Sequence, residues 1–138
     1  MMRKLDQRGM AAWEFCIVGG VFFTLIFAIF DLALYAITMQ SLRALANAGS
    51  RATMINACYM DAAIGKKTPT CSGDPLSDTA KRTVAPFLFS GSLTPTLSIT
   101  GAGPYTITAS QPGYIALLPI WGTALNAPSA STKLPFPG

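Results

Sequence analysis

Polar positions almost vanish along the first third of the chain, return with a helical period, and then scatter. From Phe15 to Phe30 the stretch FCIVGGVFFTLIFAIF holds no charge, and Met10–Trp13 extend it with only Glu14 interrupting. About twenty residues at a 1.5 Å rise span the ~30 Å hydrocarbon layer of a membrane. The run is apolar on every side, which predicts a lipid-exposed helix rather than an amphipathic one. After Asp31 the chain stays free of proline through LALYAITMQSLRALANAGSRATMIN. There Leu42, Leu45, Ala46, Gly49, Ala52 and Thr53 recur at three- and four-residue steps, while Arg43, Asn47 and Arg51 form a polar row. The reading is one helix from Met10 to Ala57, with a transmembrane segment at about 10–31 and an amphipathic second half in water.

The remainder, residues 58–138, reads as a small exterior domain. GKKTPTCSGDPLSD is loop material. SDTAKRTVAPFLF predicts a short helix capped by Ser77 or Asp78 and ended by Pro86. TLSIT and YTITAS alternate on either side of GAGP, which predicts a β-hairpin pairing Leu97–Thr100 with Tyr105–Ser110. Gly101 and Gly103 belong to its turn, since no helix follows them to make a phosphate loop. GYIALLPIWG fits either a third strand or a short apolar helix. The proline-rich NAPSASTKLPFPG is expected to be ordered only by docking. The predicted fold class is α+β: a long N-terminal helix, then a small domain built on a β-hairpin or short antiparallel sheet.

Composition sharpens the membrane reading. Charged residues are 12% of the chain, against about 25% in ordinary soluble domains. Histidine is absent, which removes the commonest general base and metal ligand. No Ser/Lys motif and no paired carboxylates stand in the exterior part, so no catalytic site, metal site or cofactor is expected. The net charge of +4 is thinly spread, and no basic run of the nucleic-acid-binding kind occurs. Lys66, Lys67, Lys81 and Arg82 read as ordinary solvated charges. Cys16 lies in the apolar run. Cys58 and Cys71 lie in the polar half with twelve residues between them. In an oxidising compartment they can form a disulfide worth about 3 kcal/mol by chain entropy; two free thiols are the alternative.

The leader gives the pattern its specificity. MMRKLDQRG sets Arg3, Lys4 and Arg8 against Asp6 and ends in Gly9. The apolar helix follows at once, with Glu14 at the fifth position after Gly9 and Phe15 at the sixth. This resembles the processing site of type IV prepilins, where a membrane aspartyl peptidase cuts after the glycine and the new amino group is usually methylated. The resemblance implies cleavage between Gly9 and Met10. A narrower resemblance is to the TadE-like pseudopilins of the Flp/Tad branch. Arg8-Gly9, Glu14-Phe15, the apolar run to Phe30, Asp31 and Tyr35 follow their order, as do AGSRAT around Arg51 and LLPIWG near the C-terminal end. The likeness is good over residues 8 to 55.

The resemblance implies a structural subunit rather than an enzyme. Its partners would be a prepilin peptidase, other pilin or pseudopilin subunits, an inner-membrane assembly platform and the lipid bilayer. Basic residues precede the span, which places the N-terminus in the cytoplasm and the exterior domain in the periplasm. A carboxylate in lipid costs about 2.5 kcal/mol or more. The implied role of Glu14 is to pair with the α-amino group freed at Met10, on its own or a neighbouring subunit, as a registry device rather than a source of net stability.

Asp31 marks the outer membrane boundary or contacts a neighbouring subunit or assembly component. Ala12, Cys16, Gly20, Thr24 and Ala28 recur at four-residue spacing and form a row on which another helix could pack. Two other readings compete. A type II secretion pseudopilin is permitted by the leader, although Met10-Ala11-Ala12-Trp13 departs from the FTLIE stretch those proteins resemble. A secreted domain behind a signal peptide would need cleavage near Ala46–Ala48, some eighteen residues past the apolar run.

Overall fold

The computed structural model of the chain describes residues 7–65, 67–71, 73–101 and 104–134. Its backbone begins with α1 (Gln7–Ile55), a helix of 49 residues. At Asn56 the chain turns extended, and the Asn56 side-chain oxygen accepts the Cys58 N–H at 3.1 Å. That is the N-cap of α2 (Ala57–Ile64). The long helix therefore stops at Ile55, because an asparagine side chain offers the backbone a competing partner and restarts it in a new direction.

After a loop comes α3 (Asp78–Val84), capped by the Ser77 hydroxyl on Ala80 N–H at 3.3 Å. A 3-10 turn over Pro86–Phe89 follows it. Three antiparallel strands complete the head: β1 (Thr96–Thr100), β2 (Tyr105–Ser110) and β3 (Ser129–Leu134), in the order β1-β2-β3. The hairpin turn needs glycine at 101, where φ is +110° and an added Cβ would lie 2.5 Å from the Pro104 carbonyl oxygen. Gly103 lies outside the described residues.

Two expectations change here. The C-terminal stretch supplies the third strand: Ala130, Thr132 and Leu134 pair with Ala109, Ile107 and Tyr105 and share their face. GYIALLPIWG instead forms an irregular loop between β2 and β3, with a 3-10 turn at Pro119–Trp121.

The second half of α1 lies across one face of the sheet. Leu42, Leu45 and Ala46 pack with Ala85, Leu88, Ala109 and Ala130. A second cluster joins Tyr59 and Ala63 of α2 to Tyr105, Ile107 and Leu134. Of the expected stripe, Leu42, Leu45, Ala46, Gly49 and Thr53 are buried and Ala52 is half-buried. Gly49 sets the approach, since a Cβ there would come within 2.6 Å of Leu97 Cδ2 and 3.3 Å of Ile107 Cγ2. The opposite sheet face is a field of hydroxyls from Thr96, Ser98, Thr100, Thr106, Thr108 and Ser110.

A disulfide joins Cys58 of α2 to Cys71 of the following loop. Lys81 is a correction: it is buried, paired with Asp74 and, at 3.3 Å, with Asp78. Burial pulls its pKa down, but the two carboxylates outweigh that and hold it above the ordinary 10.5. Arg82 is exposed, its guanidinium 4.3 Å from the centroid of the Phe89 ring. Lys67 is exposed, and Lys66 lies outside the described residues.

Candidate functional site

The first half of α1 projects from the head uncovered. Met10, Trp13, Phe15, Val18, Val21, Phe22 and Phe30 are all exposed, as is every residue from Gly9 to Val18. The helix is long and apolar enough to cross a membrane. In water such a surface would be a severe liability, because isolated apolar patches of this size are rare on soluble monomers. In lipid it is the ordinary state of a spanning helix, whose backbone groups are all satisfied internally.

Gly9 and Met10 sit in the first turns of α1, both exposed, and no atom lies within 4 Å of a Cβ built on Gly9. Residues Met1–Asp6 of the leader, including Arg3, Lys4 and Asp6, lie outside the described residues, as does the side chain of Arg8. Glu14 and Phe15 are exposed one turn further on. Of the row Ala12, Cys16, Gly20, Thr24 and Ala28, the last four line a shallow groove together with Ile17, Val21 and Leu25, and Ala12 lies outside it. The Thr24 hydroxyl donates to the Gly20 carbonyl at 2.8 Å, so it brings no unsatisfied donor to that surface. Cys16 is a free, exposed thiol.

Asp31 departs most from expectation. It is only 2% exposed, and both its oxygens are used within the chain. The Leu117 N–H donates to Oδ1 at 2.9 Å and the Leu118 N–H to Oδ2 at 2.7 Å. Within the chain, the Asp31 carboxylate clamps the head's own loop to the helix. Hydrogen bonds to an ionised acceptor are short and about twice as strong as neutral ones.

The loop carrying Leu117 and Leu118 is closed at its base. Gln111 N–H donates to Pro128 O at 3.0 Å, and Ala127 N–H to Tyr114 O at 3.1 Å. Ala116 N–H donates to Asn126 Oδ1 at 3.2 Å. Tyr114 lies against Tyr35 of α1, ring centroids 6.4 Å apart. Burial raises the Tyr114 phenol above its ordinary 10.0, and the charges of Asp31 and Tyr35 push it further the same way. Below this point Gln111 is buried and donates to Leu88 O at 2.8 Å, tying β2 to the 3-10 turn. Sequence reading missed this tether. Its one visible signal was an acid closing an apolar run in a chain with a second, uncharged apolar stretch.

Among the described residues no group of three cysteine or carboxylate side chains converges to hold a metal. What the arrangement offers is surface: an uncovered apolar helix, a small-residue groove, and a head fastened to the helix at Asp31. No curated protein and no solved structure matches the chain. The uncovered helix and its continuation under the sheet, residues 9–51, match the model of the family described as TadE-like protein.

Proposed function

We propose that this chain is a pilin-like subunit, a minor pilin or pseudopilin, of a Flp/Tad-type pilus. It is stored in the bacterial inner membrane with its N-terminus in the cytoplasm and its head in the periplasm. A prepilin peptidase cuts between Gly9 and Met10, and an assembly platform transfers the mature chain into the filament. The observation that carries this reading is the uncovered first half of α1 with Glu14 on it, in a segment whose family match begins at Gly9.

The physical logic follows from the exposure. A helix that nothing in its own chain covers can exchange lipid for neighbouring helices without unfolding anything. Glu14 is then the polar element that selects register. Once the leader is gone, the α-amino group of Met10 lies about one helical turn away, on the same or the next subunit. Loss of one member of a desolvated pair leaves the other uncompensated, so the pairing discriminates between registers even where its net stabilisation is small.

The test is Glu14→Gln in cells assembling the pilus. The variant is expected to reach wild-type levels in the membrane but to fall at least tenfold in sheared filaments. Unchanged incorporation would rule the pairing role out.

A further inference from the structure

The loop between β2 and β3 is unusual for a solvent-facing connection. From Gln111 to Pro128 it contains no charged residue. Ile115, Leu117 and Ile120 are 74%, 71% and 59% exposed. These three side chains point away from the head's core, while Leu118, Trp121 and Leu125 are half-buried. Part of its backbone is satisfied within the loop: the N–H groups of Tyr114, Gly122, Ala124, Asn126 and Ala127 find carbonyls there, and Ala116 finds the Asn126 side chain. Leu117 and Leu118 give theirs to Asp31. An uncharged, apolar outer face with a partly satisfied backbone suits the bilayer's interfacial zone, where headgroups and water still supply donors and acceptors.

The Asp31 bonds also fix where this loop sits. Met10 to Asp31 is about 32 Å of helix, the thickness of the hydrocarbon layer. Past Asp31 the exposed helix surface remains apolar at Leu32, Leu34 and Ile37. Met10 to Ile37 is about 40 Å, close to the thickness of the bilayer with its headgroup zones. Leu117 and Leu118 are bonded directly to the helix at the inner edge of the outer headgroup zone. The loop's apolar face is therefore continuous with the lipid-facing surface of α1.

We propose that the 111–128 loop is a membrane foot. Ile115, Leu117 and Ile120 dip into the outer interface of the bilayer that α1 crosses, beside the half-buried Trp121. The foot seats the head on the membrane and keeps the Asp31 carboxylate out of lipid. A bilayer fits better than a neighbouring subunit, because the loop is pinned at lipid depth by its own chain. This inference rests on α1 spanning the membrane, and the test separates the two.

The chain has two tryptophans, Trp13 near the start of the span and Trp121 in the foot. Full-length Trp13→Phe and Trp121→Phe variants are reconstituted, at no more than one protein per vesicle, in phosphatidylethanolamine–phosphatidylglycerol vesicles with lipids brominated at different acyl depths. In Trp121→Phe, quenching of Trp13 reports insertion of α1. In Trp13→Phe, at least twofold quenching of Trp121, strongest for bromines nearest the headgroup, is the expected result. Adding Ile115→Ser, Leu117→Ser and Ile120→Ser, all at exposed positions, should reduce that quenching by half or more with the circular dichroism unchanged. Trp13 quenched and Trp121 untouched would overturn the foot while leaving the spanning helix in place. Neither quenched would overturn both.

Discussion

Asp31 shows how one side chain can serve two environments. An acid at the edge of lipid is costly unless its oxygens find donors. Here two consecutive backbone N–H groups supply them, from residues 86 and 87 positions further along the chain. An Asn side chain keeps the shape but loses the charge, and its amide nitrogen faces one N–H donor instead of accepting from it. Asp31→Asn should destabilise the head's attachment by about 1–3 kcal/mol. Hydrogen exchange on detergent-solubilised protein checks this: the Leu117 and Leu118 amides should lose protection while those of Ile107 and Ala109 in β2 keep theirs. Glu14 differs in kind. It is exposed and has no partner among the hydrogen bonds and ion pairs of the described residues.

At the scale of elements, the two halves of α1 do different work along one continuous rod. The half under the sheet was legible in the sequence, because Leu42, Leu45, Ala46, Gly49 and Thr53 keep a helical period and all five are buried. The hairpin was legible for the same kind of reason, with period-two alternation on either side of a glycine turn. β3 was not. SASTKL has one large apolar residue, and its inward positions Ala130 and Thr132 look polar or neutral, so composition hid a strand that registry with β2 creates. The 113–122 run misled in the opposite direction. Its apolar residues fit a third strand or a short helix, whereas the chain forms an irregular loop in which Ile115, Leu117 and Ile120 are exposed.

Lys81 was read as solvated because nothing local marks it. Its main partner, Asp74, lies in a loop whose path the sequence does not reveal. In the lipid half, Gly20 has no atom within 4 Å of a built Cβ, so a larger side chain fits the isolated helix. Gly20→Leu should therefore leave membrane insertion and head stability unchanged. If the Cys16–Ala28 groove packs against a neighbouring helix, Gly20→Leu should lower filament incorporation several-fold more than Val21→Leu does. Equal incorporation of the two variants, measured in sheared filaments, would remove the groove from the assembly surface.

Taken whole, the molecule is a long rod, its first half apolar enough to cross a membrane, with a small head locked across its far half. The lock has two parts: the apolar face of the sheet packed on α1, and the Asp31 tether. Its proton-linked behaviour follows from three groups. Burial raises Tyr105 and Tyr114 above 10.0, and carboxylate pairing holds Lys81 above 10.5 despite its burial. Each group holds its proton more tightly folded than unfolded. Stability is therefore fully present below pH 10.0 and declines as pH rises through the folded values. Urea midpoints of the head should be level from pH 7 to about 9.5 and fall above about 10.5, with a shallower fall in Tyr114→Phe. A midpoint that rose with alkalinity would contradict these assignments.

The account's central claim is that this rod is released from a leader and made ready for assembly at Gly9. The direct measurement is the intact mass and N-terminal sequence of the protein purified from the membrane of cells with an active prepilin peptidase. The predicted result is a chain beginning at Met10 with a methylated α-amino group. A chain still beginning at Met1, or one cut near Ala48 beyond the span, would contradict it.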